Sequence, residues 1–275
     1  MAATAAQRRA TFRALHAEGC FVLPNPWDLG SARLLQQLGF KALATTSSGH
    51  AWSVGRADGD VPRDEVLAHL REMVAATDLP VNADFESGFG NDAAGVAESV
   101  RMAVDTGVAA VSIEDSTGRA DDPVRALPDA VARLRAARVA IDESGGDTLL
   151  IGRAENFIVD RPDLEDTLAR LRAYSEAGAD CLYAPGIRTR EQIAAVVAAV
   201  APKPVNLLIG WASDLTVADI ASMGVRRISV GGALARAAWG GFMRAAQAIA
   251  EHGRFDAFQQ AASGNELNAA FRATR

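Results

Sequence analysis

Eight short apolar runs recur along this chain, each followed by a longer helical pattern, and no other feature limits its fold as much. The runs lie near Cys20–Pro24, Ala42–Thr46, Val81–Phe85, Ala109–Glu114, Leu149–Ala154, Cys181–Ala184, Val205–Ile209 and Arg227–Val230. Between them stand Ala-, Leu- and Arg-rich stretches: Ser31–Leu38, Arg63–Ala76, Ala93–Thr106, Leu127–Glu143, Asp163–Ala177, Arg190–Ala199 and Val217–Met223. Several of these run into a glycine and then an apolar residue, as in Leu38-Gly39-Phe40 and Met223-Gly224-Val225. Glycine there supplies the left-handed residue that closes a helix, and the apolar residue starts the next strand. Apolar strands alternating with helices pair in parallel with both faces covered. Eight such units predict a closed (β/α)8 TIM-type barrel. A doubly wound open sheet is the alternative, weakened because no G-x-G-x-x-G follows the first strand.

Two more helical patterns, Ala233–Glu251 and Phe255–Ala262, follow the eighth strand, although one suffices to close a barrel. The surplus is apolar, so residues 233–275 are expected to pack on a neighbouring subunit of an oligomer. The whole of 1–275 reads as one barrel domain with no linker or low-complexity tract. With 49% hydrophobic and 23% charged residues, its 275 residues are ample for a core. A net charge of −6 argues against nucleic acid or an anionic membrane as partner. No apolar run approaches the roughly 18 residues of a membrane span. Met1 to Glu18 carries Arg8, Arg9 and Arg13 but no apolar centre, so it reads as an amphipathic helix and not a secretory signal. Cys20 and Cys181 fall in expected strands and read as reduced packing residues of a cytoplasmic enzyme.

In barrels of this type the chemistry sits at the C-terminal ends of the strands. Strand three ends in Asp84-Phe85-Glu86-Ser87-Gly88-Phe89-Gly90, and strand four ends in Glu114-Asp115. Asp84 and Glu86 are two apart and share a face of an extended strand. Crowded carboxylates repel and hold protons unless a cation neutralises them, and hard oxygen donors suit Mg²⁺ or Mn²⁺. Asp84, Glu86 and Glu114 are therefore the candidate metal ligands. Arg153, ending strand five across from them, suits an anionic substrate and equally a neutralising role among the acids. Ser47-Ser48-Gly49 reads as a turn that offers backbone N–H groups to a carboxylate, or as a plain turn. His50 reads as a substrate donor or a surface histidine. Asn206 ends strand seven, and Gly231-Gly232 after strand eight either cradles a phosphate or packs closely. Asp28, Asp92 and Asp115 serve equally well as helix caps or loop ion pairs.

Taken together, Pro24 to Arg33, Thr45 to Asp58, Asp84 to Gly90 and Ser112-Ile113-Glu114-Asp115 resemble the isocitrate lyase / phosphoenolpyruvate mutase superfamily, from about Asn25 to Ala238. The resemblance implies Mg²⁺ held directly by Asp84, with Glu86 and Glu114 supporting it through waters. It implies Asp58 beside the metal and the reacting group, the Ser47–Gly49 segment on a substrate carboxylate, and Arg153 on the anionic substrate. Glu114, Asp58 and Arg153 are then the catalytic set, with His50 and Asn206 as further substrate contacts. The implied chemistry makes or breaks a C–C or P–C bond beside a small 2-oxo or 2-hydroxy acid through a pyruvate enolate. A homotetramer, as a dimer of helix-swapped dimers, is implied too.

The lyases of that superfamily carry a K-[KR]-C-G-H motif soon after I-E-D. This chain has Ser116-Thr117-Gly118-Arg119-Ala120-Asp121-Asp122-Pro123-Val124-Arg125 there, with no Cys, His or Lys. A cysteine-dependent isocitrate or methylisocitrate lyase is thus not expected. Arg119 and Arg125 are placed to reach a second carboxylate or a phosphonate. The alternatives are a metabolite-binding barrel that lost its specificity lid, or an unrelated phosphate-binding barrel built on Gly231-Gly232.

Overall fold

The computed structural model describes residues 3–272. Its strands are β1 (Phe21–Leu23), β2 (Leu43–Ala44), β3 (Val81–Asp84), β4 (Ala110–Glu114), β5 (Leu149–Arg153), β6 (Cys181–Tyr183), β7 (Val205–Leu208) and β8 (Arg227–Ser229). The helices are α1 (Ala5–Ala17), α2 (Leu29–Gln37), α3 (Ser47–Ser53), α4 (Arg63–Ala76), α5 (Ala93–Asp105), α6 (Leu127–Glu143), α7 (Leu164–Glu176), α8 (Arg190–Val200), α9 (Val217–Ser222), α10 (Ala233–His252) and α11 (Gly264–Arg272).

All the strand pairings are parallel, and β1 pairs with β8, which excludes a doubly wound sheet. The ring closes between β1 and β2 through the Ala44 N–H donating to the Pro24 carbonyl at 3.1 Å. The Asn25 amide adds a bond to the Thr45 carbonyl at 2.9 Å. The chain is a (β/α)8 barrel. Its helices start where short polar side chains satisfy the free N–H groups of the first turn. Asp28 accepts from Ser31 N at 2.7 Å, Asp92 from Gly95 N at 2.9 Å, and Thr189 forms a capping box with Gln192. For Asp28 and Asp92 the structure thus selects the cap.

Two apolar layers hold the barrel. Val100, Leu134, Tyr174 and Val196 pack between strands and helices. Leu23, Ala44, Ala110, Ile151 and Cys181 fill the interior, with Phe12 of α1 against them at the N-terminal end. The Met1–Glu18 expectation holds for α1, although Met1 and Ala2 lie outside the described residues. Cys20 precedes β1 and is only partly buried, whereas Cys181 is fully buried in β6.

The tail departs from expectation. Instead of a helix over Phe255–Ala262 there is a short 3-10 turn, Asp256–Gln260, and then α11. Its Phe271 ring lies 3.5 Å from where a side chain on Gly30 would start, so α11 rests on α2 of its own chain. In α10, by contrast, only Ala235 is buried, and Phe242 and Met243 are 62% and 52% exposed. No helix among the described residues is long and apolar enough to cross a membrane.

Candidate active site

The acids at the ends of β3 and β4 meet Arg153 from β5. Arg153 Nη1 lies 2.5 Å from Asp84 Oδ1 and 3.1 Å from Glu114 Oε2, and its Nε lies 3.0 Å from Glu155 Oε1. The barrel register produces this, because Glu114 and Arg153 are direct partners across β4 and β5. Glu86 lies just past β3 at φ 46°, a left-handed conformation that costs a non-glycine residue about 1 kcal/mol or more. The loop after it needs its glycines. A Cβ on Gly90 would sit 2.2 Å from Val96 N, and Gly88 has φ 87°.

One guanidinium does not balance so many acids. Burial, then the charges of Asp84 and Asp58, push Glu86 up to about 7. Burial also raises Glu114 well above the usual carboxylate range, against the pull of Arg153. Asp58, on the rim, is raised by partial desolvation and by the charge of Asp84. These hard oxygen donors, crowded enough to retain protons, fit a divalent cation, whose charge would reverse the shifts. No three His, Cys, Asp or Glu groups among the described residues form a ready cage, because Arg153 stands between Asp84 and Glu114.

Two adjoining cavities open here. One, of about 420 Å³, is lined by Asp58, Glu86, Glu114, Arg153, Glu155 and the Ser116–Gly118 loop. The other, of about 160 Å³, runs into the barrel from Ser47, Ser48, Asp58, Asp84 and Arg153 towards Asn82, Ser112 and Arg227. Asp58, Asp84, Glu86, Glu114 and Arg153 thus gather at one mouth, with Ser47 and Ser48 beside them.

Other candidates are placed differently. Ser47–Gly49 is not a turn but the start of α3, because the Thr46 side chain caps it. Ser47 N donates to Asp84 Oδ2 at 2.9 Å and Gly49 N to Thr46 Oγ1 at 3.4 Å, so of these three only the Ser48 N–H donates to no described side chain. His50 stacks on His69 at 3.7 Å, off both cavities, and burial lowers its pKa. Asn206 is fully buried below the mouth, bonding Ser229 Oγ at 2.9 Å and Arg227 Nε at 2.8 Å. Gly231-Gly232 packs closely and also lines the wall of the smaller cavity. Asn25 Oδ1 accepts from Gly231 N, and a Cβ on Gly232 would meet Ser48 Oγ at 2.7 Å. Asp115 is a buried ion-pair residue, accepting from Tyr174 Oη at 2.5 Å and Arg170 Nη1 at 3.1 Å. Arg125 is paired with Asp129 at 3.4 Å, and Arg119 with Asp121 at 3.2 Å.

Sequence reading assigned no role to Glu155, Asn82, Ser112 or Arg227. Their signal was the period of two: Asn82 and Asp84, or Arg227 and Ser229, are polar residues at inward positions of otherwise apolar strands.

Residues 12–250 match the sequence model of the phosphoenolpyruvate phosphomutase family. The chain belongs to that family. Among similar proteins, an oxaloacetate decarboxylase of Paraburkholderia xenovorans (strain LB400) is 33% identical over 230 residues, covering 81% of this chain and 74% of its own. A crystal structure from Burkholderia cenocepacia J2315, assigned only provisionally as a lyase/mutase, is 48% identical at a TM-score of 0.94, covering 98% of this chain and 97% of the other. The 2,3-dimethylmalate lyase structure, a phosphoenolpyruvate mutase/isocitrate lyase superfamily member, is 28% identical at a TM-score of 0.84, covering 98% and 94%. The family places this chain among lyases and mutases of that superfamily, as the strand-end motifs suggested.

Proposed function

We propose that this barrel is a Mg²⁺-dependent lyase that breaks a C–C or P–C bond of a small 2-oxo or 2-hydroxy acid through a pyruvate enolate. The observation that carries this reading is the convergence of Asp58, Asp84, Glu86 and Glu114 with one guanidinium at the mouth of a polar cavity. Asp84 would hold the cation, with Glu86 and Glu114 supporting it, and the three acids stand at the same mouth. When bound, Mg²⁺, or Mn²⁺ in its place, is a Lewis acid for the negative charge that develops on the substrate oxygens. Arg153 steadies the substrate anion, and the Ser48 N–H and hydroxyl orient its carboxylate. Asp58, with its raised pKa, would carry a proton at the reacting carbon.

The loop from Ser116 to Arg125 has no thiol, so the enzyme is not a cysteine-dependent isocitrate or methylisocitrate lyase. The similar oxaloacetate decarboxylase makes oxaloacetate the first substrate to try. The exposed apolar face of α10 supports a homotetramer in which α10 packs on a neighbouring barrel.

The test is pyruvate release from oxaloacetate, phosphonopyruvate, isocitrate, methylisocitrate and methylmalate-type acids, each with Mg²⁺ and with EDTA. Cation-dependent turnover of one of them supports the reading. Silence across the panel from folded, Mg²⁺-binding protein favours a metabolite-binding barrel.

A further inference from the structure

The barrel interior holds a positive charge that no acid balances. Arg227 is only 2% exposed, and its partners are neutral amides: Nε donates to Asn206 Oδ1 at 2.8 Å and Nη1 to Asn82 Oδ1 at 3.3 Å. Among the described residues no carboxylate pairs with it. Its other polar neighbours stay neutral near pH 7, because burial pushes the Cys181 thiol up to about 11 and the Tyr183 phenol up to about 12. His16 is driven down to about 3 and is neutral as well. A buried, unpaired guanidinium is a costly arrangement in a protein interior. Beside it lies the cavity of about 160 Å³, walled by Asn25, Asn82, Ser112, Ser229 and Arg227 and continuous with the mouth at Asp84 and Arg153. One water needs about 10–15 Å³ of such space, so a carboxylate has ample room.

We propose that Arg227 is a specificity-determining anchor for a carboxylate of the substrate, reached through the barrel mouth. It selects small diacids over monoacids by pairing its Nη2, which donates to no described protein group, with the carboxylate remote from the acid cluster. Polar walls supply the remaining bonds: the Ser229 hydroxyl and the second amide hydrogen of Asn82, whose first goes to the Ala83 carbonyl, can donate to the same anion. This rests on the reading of the mouth as a 2-oxo acid site, but the anchor itself needs no cation.

The test is thermal unfolding of the full chain in EDTA with malonate, acetate, phosphate or chloride at constant ionic strength. Wild type should rise in Tm with malonate in a saturable way, and Arg227→Met should show at least tenfold weaker malonate binding. Removing an unpaired buried charge should leave Arg227→Met folded, with an unchanged or higher Tm. Should that variant not fold, Arg227→Lys, which keeps the charge but loses the fork, should bind malonate at least threefold more weakly. With a cleaved diacid, Arg227→Met should raise KM at least tenfold while Mg²⁺ affinity stays at the wild-type value. Equal malonate binding by wild type and either folded variant overturns the anchor, as does no Tm rise in wild type. An equal rise with phosphate or chloride overturns the carboxylate assignment. Malonate binding that depends on Arg227 in a protein without Mg²⁺-dependent turnover would uphold the anchor and sink the lyase reading alone.

Discussion

Glu114 and Arg153 are register partners on adjacent strands, and their side chains meet at 3.1 Å over the barrel mouth. The same guanidinium reaches Asp84 and Glu155, so one cation organises acids from three consecutive strand ends. Removing it would leave buried carboxylates unpaired, which is costly. Arg153→Ala should therefore lose both stability, by about 3 kcal/mol or more, and activity. Denaturant unfolding and initial rates together check this, and an active variant of wild-type stability would contradict it.

Asp84→Ala is expected to behave differently. Asp84 accepts from Ser47 N and Arg153, yet it sits at the partly exposed mouth, so the barrel should persist. Loss of the direct cation ligand should lower kcat/KM by about 10³-fold, equivalent to about 4 kcal/mol. Calorimetry should show Mg²⁺ binding lost as well. A folded variant that still binds Mg²⁺ normally would count against Asp84 as the ligand.

Asp115 should separate structure from chemistry. It is 2% exposed and tied to Tyr174, Arg170 and the Glu155 N–H. Asp115→Ala leaves the buried Tyr174 hydroxyl and the Glu155 N–H without their acceptor, although Arg170 keeps Asp166 at 2.6 Å, and should cost about 3 kcal/mol of stability. Urea unfolding reads this directly, and a loss below about 1 kcal/mol would show the network to be dispensable.

Protonation gives a fourth expectation. Glu86 is raised from 4.5 to about 7, so between those values the cation-free folded protein holds a proton that the unfolded chain has lost. Stability from this group is thus present at low pH and lost as pH rises through that window. Buried His16 and His69, driven down to about 3, act in the opposite sense, so each pH needs its own comparison. In EDTA, Glu86→Gln should stabilise the protein at pH 7.5 by on the order of 1 kcal/mol, and by much less at pH 5. Mg²⁺ affinity of wild type should climb from pH 5 to 7 as the acids ionise. The reverse order in either measurement would contradict the assignment.

The tail gives a fifth. Phe242 and Phe255 are each 62% exposed, more apolar surface than a lone barrel leaves in water without reason. Wild type should elute as a tetramer by light scattering, and Phe242→Glu should shift it to smaller species. A monomeric wild type at micromolar concentration would remove the tetramer proposal.

The barrel was legible because its strands are apolar and its helices end in glycine, as at Gly39 and Gly224, both at positive φ. The acids could be grouped because Asp84, Glu86 and Glu114 stand at consecutive strand ends, a relation that the fold converts directly into proximity. Asp115 was ambiguous because its partners lie 55 and 59 residues away, on a helix face that sequence spacing does not reveal. Ser47–Gly49 read as a turn because the helix it starts has only seven residues. Arg227 was hidden at the head of its strand beside Arg226, where which of the two arginines points inward is visible only once the neighbouring strands are known.

The most direct measurement is the rate of pyruvate formation from oxaloacetate with Mg²⁺, set against Mg²⁺ alone and against the enzyme in EDTA. A rate well above the Mg²⁺ background, abolished by EDTA and restored by added Mg²⁺, is the expected result. A rate equal to the background from folded protein with Mg²⁺ bound would contradict decarboxylation of this substrate at the Asp84 site.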